Sequence, residues 1–190
     1  MYSTLEKVIL LALSDGNFAA ADASDGSLAR AYGAAAAADL SVAGLLPAGP
    51  EKFRLRKSNG FRGRVFEKSA AAAAGCAVLP DAARELEKIA PELERICVDE
   101  LLEKSALATA RQFGFFGREV LKVADARACR QIRESVFAAV SGGEEPDFRS
   151  AALIWALFCG GLAAVALSRA QLRKFGVRVS EIAEEFARPE

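Results

Sequence analysis

Residues 151–167 read AALIWALFCGGLAAVAL, a run without a single charged side chain. Asp147 and Arg149 stand just before it, and Arg169, Arg173 and Lys174 follow. As a helix it carries apolar side chains around its whole circumference, so it has no face for water and must be buried. A membrane span needs about 20 apolar residues. This run is shorter, rich in alanine and interrupted at Gly160-Gly161, where a glycine pair stops a helix. It reads as a helix buried in protein, with the other helices packed around it. The expected fold is mainly α: a single helical domain over residues 1–190 around this apolar helix, with one or two β-hairpins. A 190-residue chain that is 52% hydrophobic and 26% charged can enclose such a core.

The rest of the chain supplies partners for that helix. Ser3-Thr4-Leu5-Glu6 is a capping box, in which hydroxyl and carboxylate satisfy backbone N–H groups reciprocally. It opens a helix with Leu5, Val8, Ile9, Ala12 and Leu13 on one face, stopped by Asp15-Gly16. After a polar loop, an alanine-rich helical stretch runs over 28–46 and breaks near Ser41–Gly44. Asp81 opens a further helix. Pro91 interrupts it and suits the first position of the next, where its missing N–H leaves no orphan. That next helix turns Leu93, Ile96, Cys97 and Leu101 inward, and Glu92, Glu94, Arg95, Asp99, Glu103 and Lys104 toward water. Asp125 caps a helix through Val140, with Arg127, Arg130 and Arg133 lined up on its outer side; such a row can bind phosphates, but a solvated stripe is the commoner outcome. Asp147 caps the central helix. A last helix is expected from Ser180, with Glu181 and Glu184 in its first turn as the macrodipole favours.

The chain contains no histidine, which removes Ser-His and Cys-His catalysis and the commonest metal ligand. Cys76, Cys97, Cys129 and Cys159 form no close pair, so zinc and redox motifs are absent, and Cys97, Cys129 and Cys159, each on an apolar helix face, read as reduced, buried thiols in a cytoplasmic protein. There is no G-x-S-x-G, P-loop or G-x-G-x-x-G. The N-terminus has neither a basic start nor a small-residue cleavage site. The reading is non-enzymatic, with no cofactor and no metal.

Two stretches carry candidate binding chemistry. In 52–68, Phe53, Leu55, Phe61 and Val65 bracket Asn59-Gly60, a hairpin signal. Lys52, Arg54, Arg56, Lys57, Arg62, Arg64 and Lys68 face only Glu51 and Glu67 there. Such a hairpin can bind an anionic headgroup, or touch nucleic-acid phosphates as a wing; equally it can be an edge whose charges prevent aggregation. In 107–123, a second hairpin candidate, Phe113, Phe115 and Phe116 alternate with Gly114 and Gly117 between Arg111 and Arg118. These rings either fold onto the core or form an exposed tip that enters a membrane or a partner.

Four stretches together resemble the Golgi phosphoprotein 3 family. LEKVILLALSDG at 5–16 resembles its opening leucine-rich helix, and DLSVAGLL at 39–46 its segment before the first hairpin. Leu101–Leu107 with QFGFF is similar to its helix and hydrophobic hairpin, and DFRSAALIWAL at 147–157 to the start of its long buried helix. The resemblance implies a mostly helical, non-enzymatic, peripheral membrane adaptor that binds lipid, inserts the hairpin and carries protein cargo. The family reads a phosphoinositide through one tryptophan and three arginines, positions that correspond here to Ser24, Gly33, Pro91 and Glu94, with Arg30 and Arg95 nearby. The departure points to a divergent, prokaryotic-type member whose partner is some anionic membrane surface or headgroup. Nucleic acid held by the basic hairpin is the alternative.

Overall fold

The capping box forms as expected. Ser3 N donates to Glu6 Oε2 at 2.8 Å and Glu6 N to Ser3 Oγ at 3.2 Å, opening α1 (Thr4–Ser14). The computed structural model describes residues 2–14, 26–47, 63–111, 119–142 and 145–188. Over these it is mainly helical with one small antiparallel sheet. The alanine-rich stretch is α2 (Ser27–Val42), followed by a turn through Gly44.

Residues 64–68 correct the basic hairpin assignment. They are not strand; they open α3 (Arg64–Ala72). Gly63, at φ 150, turns the chain into the helix, and Glu100 Oε1 accepts the N–H groups of Arg64 and Val65 at 2.8 and 3.4 Å. Val65 and Ser69, one turn apart, are the buried pair, a helical rather than an alternating period. Residues 52–62, the remainder of that hairpin, lie outside the described residues.

Next come α4 (Leu79–Lys88) and α5 (Ala90–Glu103), each with its proline in the first turn. Strands β1 (Leu107–Arg111) and β2 (Glu119–Val123) pair antiparallel, as the second hairpin candidate requires. Asp125 caps α6 (Ala126–Ser141) through Ala128 N at 2.9 Å. Asp147 caps α7 (Phe148–Cys159) by accepting from Arg149 N and Ser150 N. Gly160-Gly161 end α7, leaving only the single turn α8 (Ala163–Ala166) before α9 (Arg169–Ala187). The final helix therefore begins well before Ser180, at a capping box made by Ser168 and Gln171. Glu181 and Glu184 stand in its interior and last turn.

The first part of the apolar run is buried in protein, with Ala151–Leu157 all in the core. Beyond it Phe158 is 43% exposed and Gly161 and Ala164 are exposed, because the helix stops at Gly160-Gly161 and its end reaches the surface. Among the described residues no helix is long and apolar enough to cross a membrane. Its central place, however, is shared with α2, which packs against α1, α3, α4, α5 and α7. Every residue from Ala31 to Val42 is buried. Small side chains are what allow one helix so many neighbours. A Cβ on Gly33 would lie 2.6 Å from Ala83 O and Glu87 N of α4, and one on Gly160 would lie 2.6 Å from Ala31 Cβ. At the other end, the fully buried Phe186 of α9 meets Phe148 and Trp155 of α7 at ring distances of 5.1 and 5.7 Å.

Candidate functional site

The β1–β2 hairpin is rooted firmly in the body of the protein. At its root, Ala106 and Leu107 are buried, and Ala106 O accepts Ala124 N at 2.9 Å and Asp125 N at 3.3 Å. Ser105, at φ 56, sets the turn out of α5. Tyr2 donates its hydroxyl to Asp125 Oδ2 at 3.1 Å, and burial followed by that carboxylate raises the phenol's pKa. Lys104 pairs with the buried Glu6 of α1. Burial pulls the ammonium's pKa down, but the bond and charge of Glu6 outweigh it, so it stands above the ordinary lysine value. Farther out, Ala108, Thr109 and Lys122 are exposed. The ladder runs from Leu107↔Val123 to Arg111↔Glu119. Phe113, Phe115 and Phe116 belong to the segment joining those last partners and lie outside the described residues.

Of the six cationic site residues, Lys52, Arg54, Arg56, Lys57 and Arg62 also lie outside the described residues. Arg64 is described, and it is committed to protein: its Nη2 is 2.8 Å from Glu103 Oε1 and its Nε 3.9 Å from Glu100 Oε1. Lys68 likewise meets Glu92 at 2.9 Å. The α5 carboxylates that look like a solvated face in sequence thus neutralise the two basic residues on α3 closest to them.

Buried charge elsewhere fastens helices together. Asp39 of α2 accepts Thr4 N at 2.7 Å and Leu5 N at 3.1 Å, so it caps α1 from another element. Burial raises its carboxyl pKa, and those backbone bonds oppose the rise. A cavity of about 140 Å3 is lined by Glu6, Asp39, Ser69, Glu100 and Lys104. Its polar groups are engaged: Ser69 donates to Val65 O at 2.8 Å, and the three carboxylates accept as described. Nothing in this set is an activated nucleophile. The four cysteines are free, and burial raises the thiol pKa of Cys97, Cys129 and Cys159, the last to about 11.

The order of these parts, from the capped first helix through the hairpin to the long buried helix, is matched by a family model, Golgi phosphoprotein 3 (GPP34), over residues 5–190. The chain belongs to the Golgi phosphoprotein 3 family. Among curated proteins none matches it significantly.

Of the four positions that the resemblance sets against the family's tryptophan and arginines, three are described in this Golgi phosphoprotein 3 family chain. Ser24 lies outside the described residues. Gly33 is pressed against the α4 backbone, with no room even for a methyl group. Pro91 is an exposed first-turn residue of α5. Glu94 accepts the Tyr32 hydroxyl at 3.4 Å, and burial raises its carboxyl pKa against that bond. Burial, and then the Glu94 charge, raises Tyr32 as well. Arg30 and Arg95 are exposed, with Arg95 Nη1 3.7 Å from Asp99.

Sequence reasoning missed several residues. Arg133 departs from the solvated stripe and turns inward: Nε donates to Val165 O at 3.1 Å and Nη2 to Ser14 Oγ at 2.7 Å. Arg127 and Arg130 are exposed as expected. The trans caps Asp39 and Glu100 have no local sequence signal. The start of α9 did have one, the Ser168-x-x-Gln171 capping box, which places Arg169, Arg173 and Lys174 on a helix.

Proposed function

We propose that this protein is a non-enzymatic, peripheral membrane-associated adaptor. It binds an anionic lipid headgroup or membrane surface and inserts the apolar tip of its second hairpin. The observation that carries this reading is the β1–β2 ladder: buried at Leu107, exposed by Ala108, and joined through a stretch holding three phenylalanines. Family membership supports the adaptor role. The absence of histidine from the whole chain and the raised cysteine pKa values support the non-enzymatic one. With Gly33 closed to any larger side chain, the family's phosphoinositide arrangement is unsupported here, and the headgroup is assigned only as anionic. Lys52, Arg54, Arg56, Lys57 and Arg62 are its proposed contacts; Arg64, held by Glu103, is not. A protein cargo follows from the adaptor role, and the working place is the cytoplasmic face of a membrane.

Sedimentation with phosphatidylcholine vesicles, with and without phosphatidylserine or a phosphoinositide, tests this. Replacing Phe115→Ser and Phe116→Ser together should weaken vesicle binding sharply while stability stays within about 1 kcal/mol of wild type. A large stability loss with unchanged vesicle binding would put the rings in the core. R54E/R56E/R62E should abolish the anionic-vesicle component, and rising salt should weaken the wild-type interaction.

A further inference from the structure

We infer that α3 is a lid latched by charge. When the carboxylates of α5 release it, it opens as a unit and loosens the Glu6–Lys104 bond at the root of the β1–β2 hairpin. Packing is the first observation. Of the nine residues of α3 only Val65 and Ser69 are buried, whereas every residue of α2 from Ala31 to Val42 is. The cavity of about 140 Å3 lies between α3 and the body, walled by Val65, Phe66 and Ser69 on one side and by Glu6, Asp39 and Lys104 on the other. Part of the inner face of α3 thus meets polar groups across an opening, without the dispersion contacts that close packing supplies. A helix that buries so little apolar surface belongs among the units that open ahead of the global transition.

The way α3 is fastened is the second observation. Its outer edge is held by charge: Arg64 Nη2 lies 2.8 Å from Glu103 Oε1, and Lys68 Nζ lies 2.9 Å from Glu92 Oε1. The two cations stand one turn apart and both reach α5, so the pairs run along one seam. All four side chains are between 42% and 69% exposed, and water keeps such pairs weak and easily exchanged. A glycine flanks each end of the helix, Gly63 at φ 150 and Gly75 at φ 91, and a few loop residues of this kind are enough to make hinges.

The cavity joins this lid to the hairpin. Glu6 and Lys104 both line it, and their bond fastens α1 to the residue just before the Ser105 turn that starts β1. Although Lys104 is half-exposed, Glu6 is buried, and a charge pair is stronger where water is kept from one partner. Lifting α3 brings water to Glu6, weakens the pair and frees the turn. For the adaptor role proposed above, on which this consequence rests, the charges on α3 set how freely the hairpin moves. The coupling itself is measured on the protein alone, so the two readings fail separately.

Hydrogen exchange of the full-length protein, resolved by nuclear magnetic resonance, tests this without lipid. E92Q/E103Q removes the latch and leaves the Glu100 cap in place. Amides of residues 65–72 should exchange about fivefold faster, as the loss of two exposed ion pairs implies, and those of the β1–β2 ladder should rise with them. Amides of α2 and α7 should keep the wild-type rate. E85Q removes an exposed carboxylate paired with Lys88 on α4 and should change none of these. K104Q cuts the link itself and should speed the ladder. If α3 of the wild type exchanges no faster than α2, it is not a separate unit and the lid is refuted. If E92Q/E103Q speeds α3 but not the ladder, or K104Q leaves the ladder unchanged, the coupling through Glu6–Lys104 is refuted. Should vesicle binding fail while these rates behave as expected, the membrane role falls and the lid stands.

Discussion

Gly33→Ala should destabilise the protein, although in an open helix the same change stabilises. The new methyl carbon would lie 2.6 Å from Ala83 O, 2.6 Å from Glu87 N and 2.9 Å from Glu87 Cα. Carbon contacts settle at about 3.5–4.0 Å, so α4 must retreat by about 1 Å. All three obstructing atoms are helix backbone, so no rotamer change relieves the clash. Retreat also loosens Ala82 and Leu86, which α4 buries in the core. Overpacking of this kind costs about 1–3 kcal/mol, and the rigid backbone puts this site at or above the upper end. Removing a glycine from a helix interior returns about 1 kcal/mol. The net expectation is a loss of about 2 kcal/mol, or roughly 4–8 °C in Tm for a chain of this size. Urea melts followed by far-UV circular dichroism measure it, with an unchanged slope showing that the transition stays comparable. Gly176→Ala is the matched control: it sits within α9 with nothing inside 4 Å, so it should gain up to about 1 kcal/mol. If Gly33→Ala is neutral or stabilising, α2 and α4 are not in close contact.

Leu153→Ala or Leu157→Ala should each cost about 2–5 kcal/mol, because both side chains are enclosed in the packed face of α7; an unchanged Tm would move the core elsewhere. Asp39→Ala strips the acceptors from two buried N–H groups at the start of α1 and should cost about 1–3 kcal/mol or more. Equal urea midpoints for D39A and wild type would show that Thr4 and Leu5 find other partners.

Contacts that span two or three residues are the most legible part of the sequence. Ser3 with Glu6, Asp125 and Asp147 cap their helices because a cap is a contact across two or three residues. Pro91 and the Gly160-Gly161 pair mark boundaries for reasons of local backbone geometry. The apolar order of α1, α7 and the hairpin sufficed to indicate the family. The two boundary errors have separate causes. Alternating Phe61 and Val65 suit a strand on local pattern, but Gly63 and the distant Glu100 start a helix there. The capping box at Ser168 is a local signal that outranks the glutamates further on, which fall in the interior and last turn of α9.

By itself the sequence determined most of the helical segments, Arg64–Ala72 and the start of α9 excepted, and that residues 151–157 are enclosed. These follow from short-range hydrogen bonding, backbone restriction and the circumference of a charge-free helix. Only the tertiary structure decided that α2 shares the centre, since an alanine-rich helix looks bland until five neighbours close on it. It alone decided that Asp39 and Glu100 cap helices 34 to 36 residues away, that Arg64 is held by Glu103, and that Arg133 points inward. A side chain's charge is written in its residue type; whether that charge is already answered depends on what the chain brings back from far along its length.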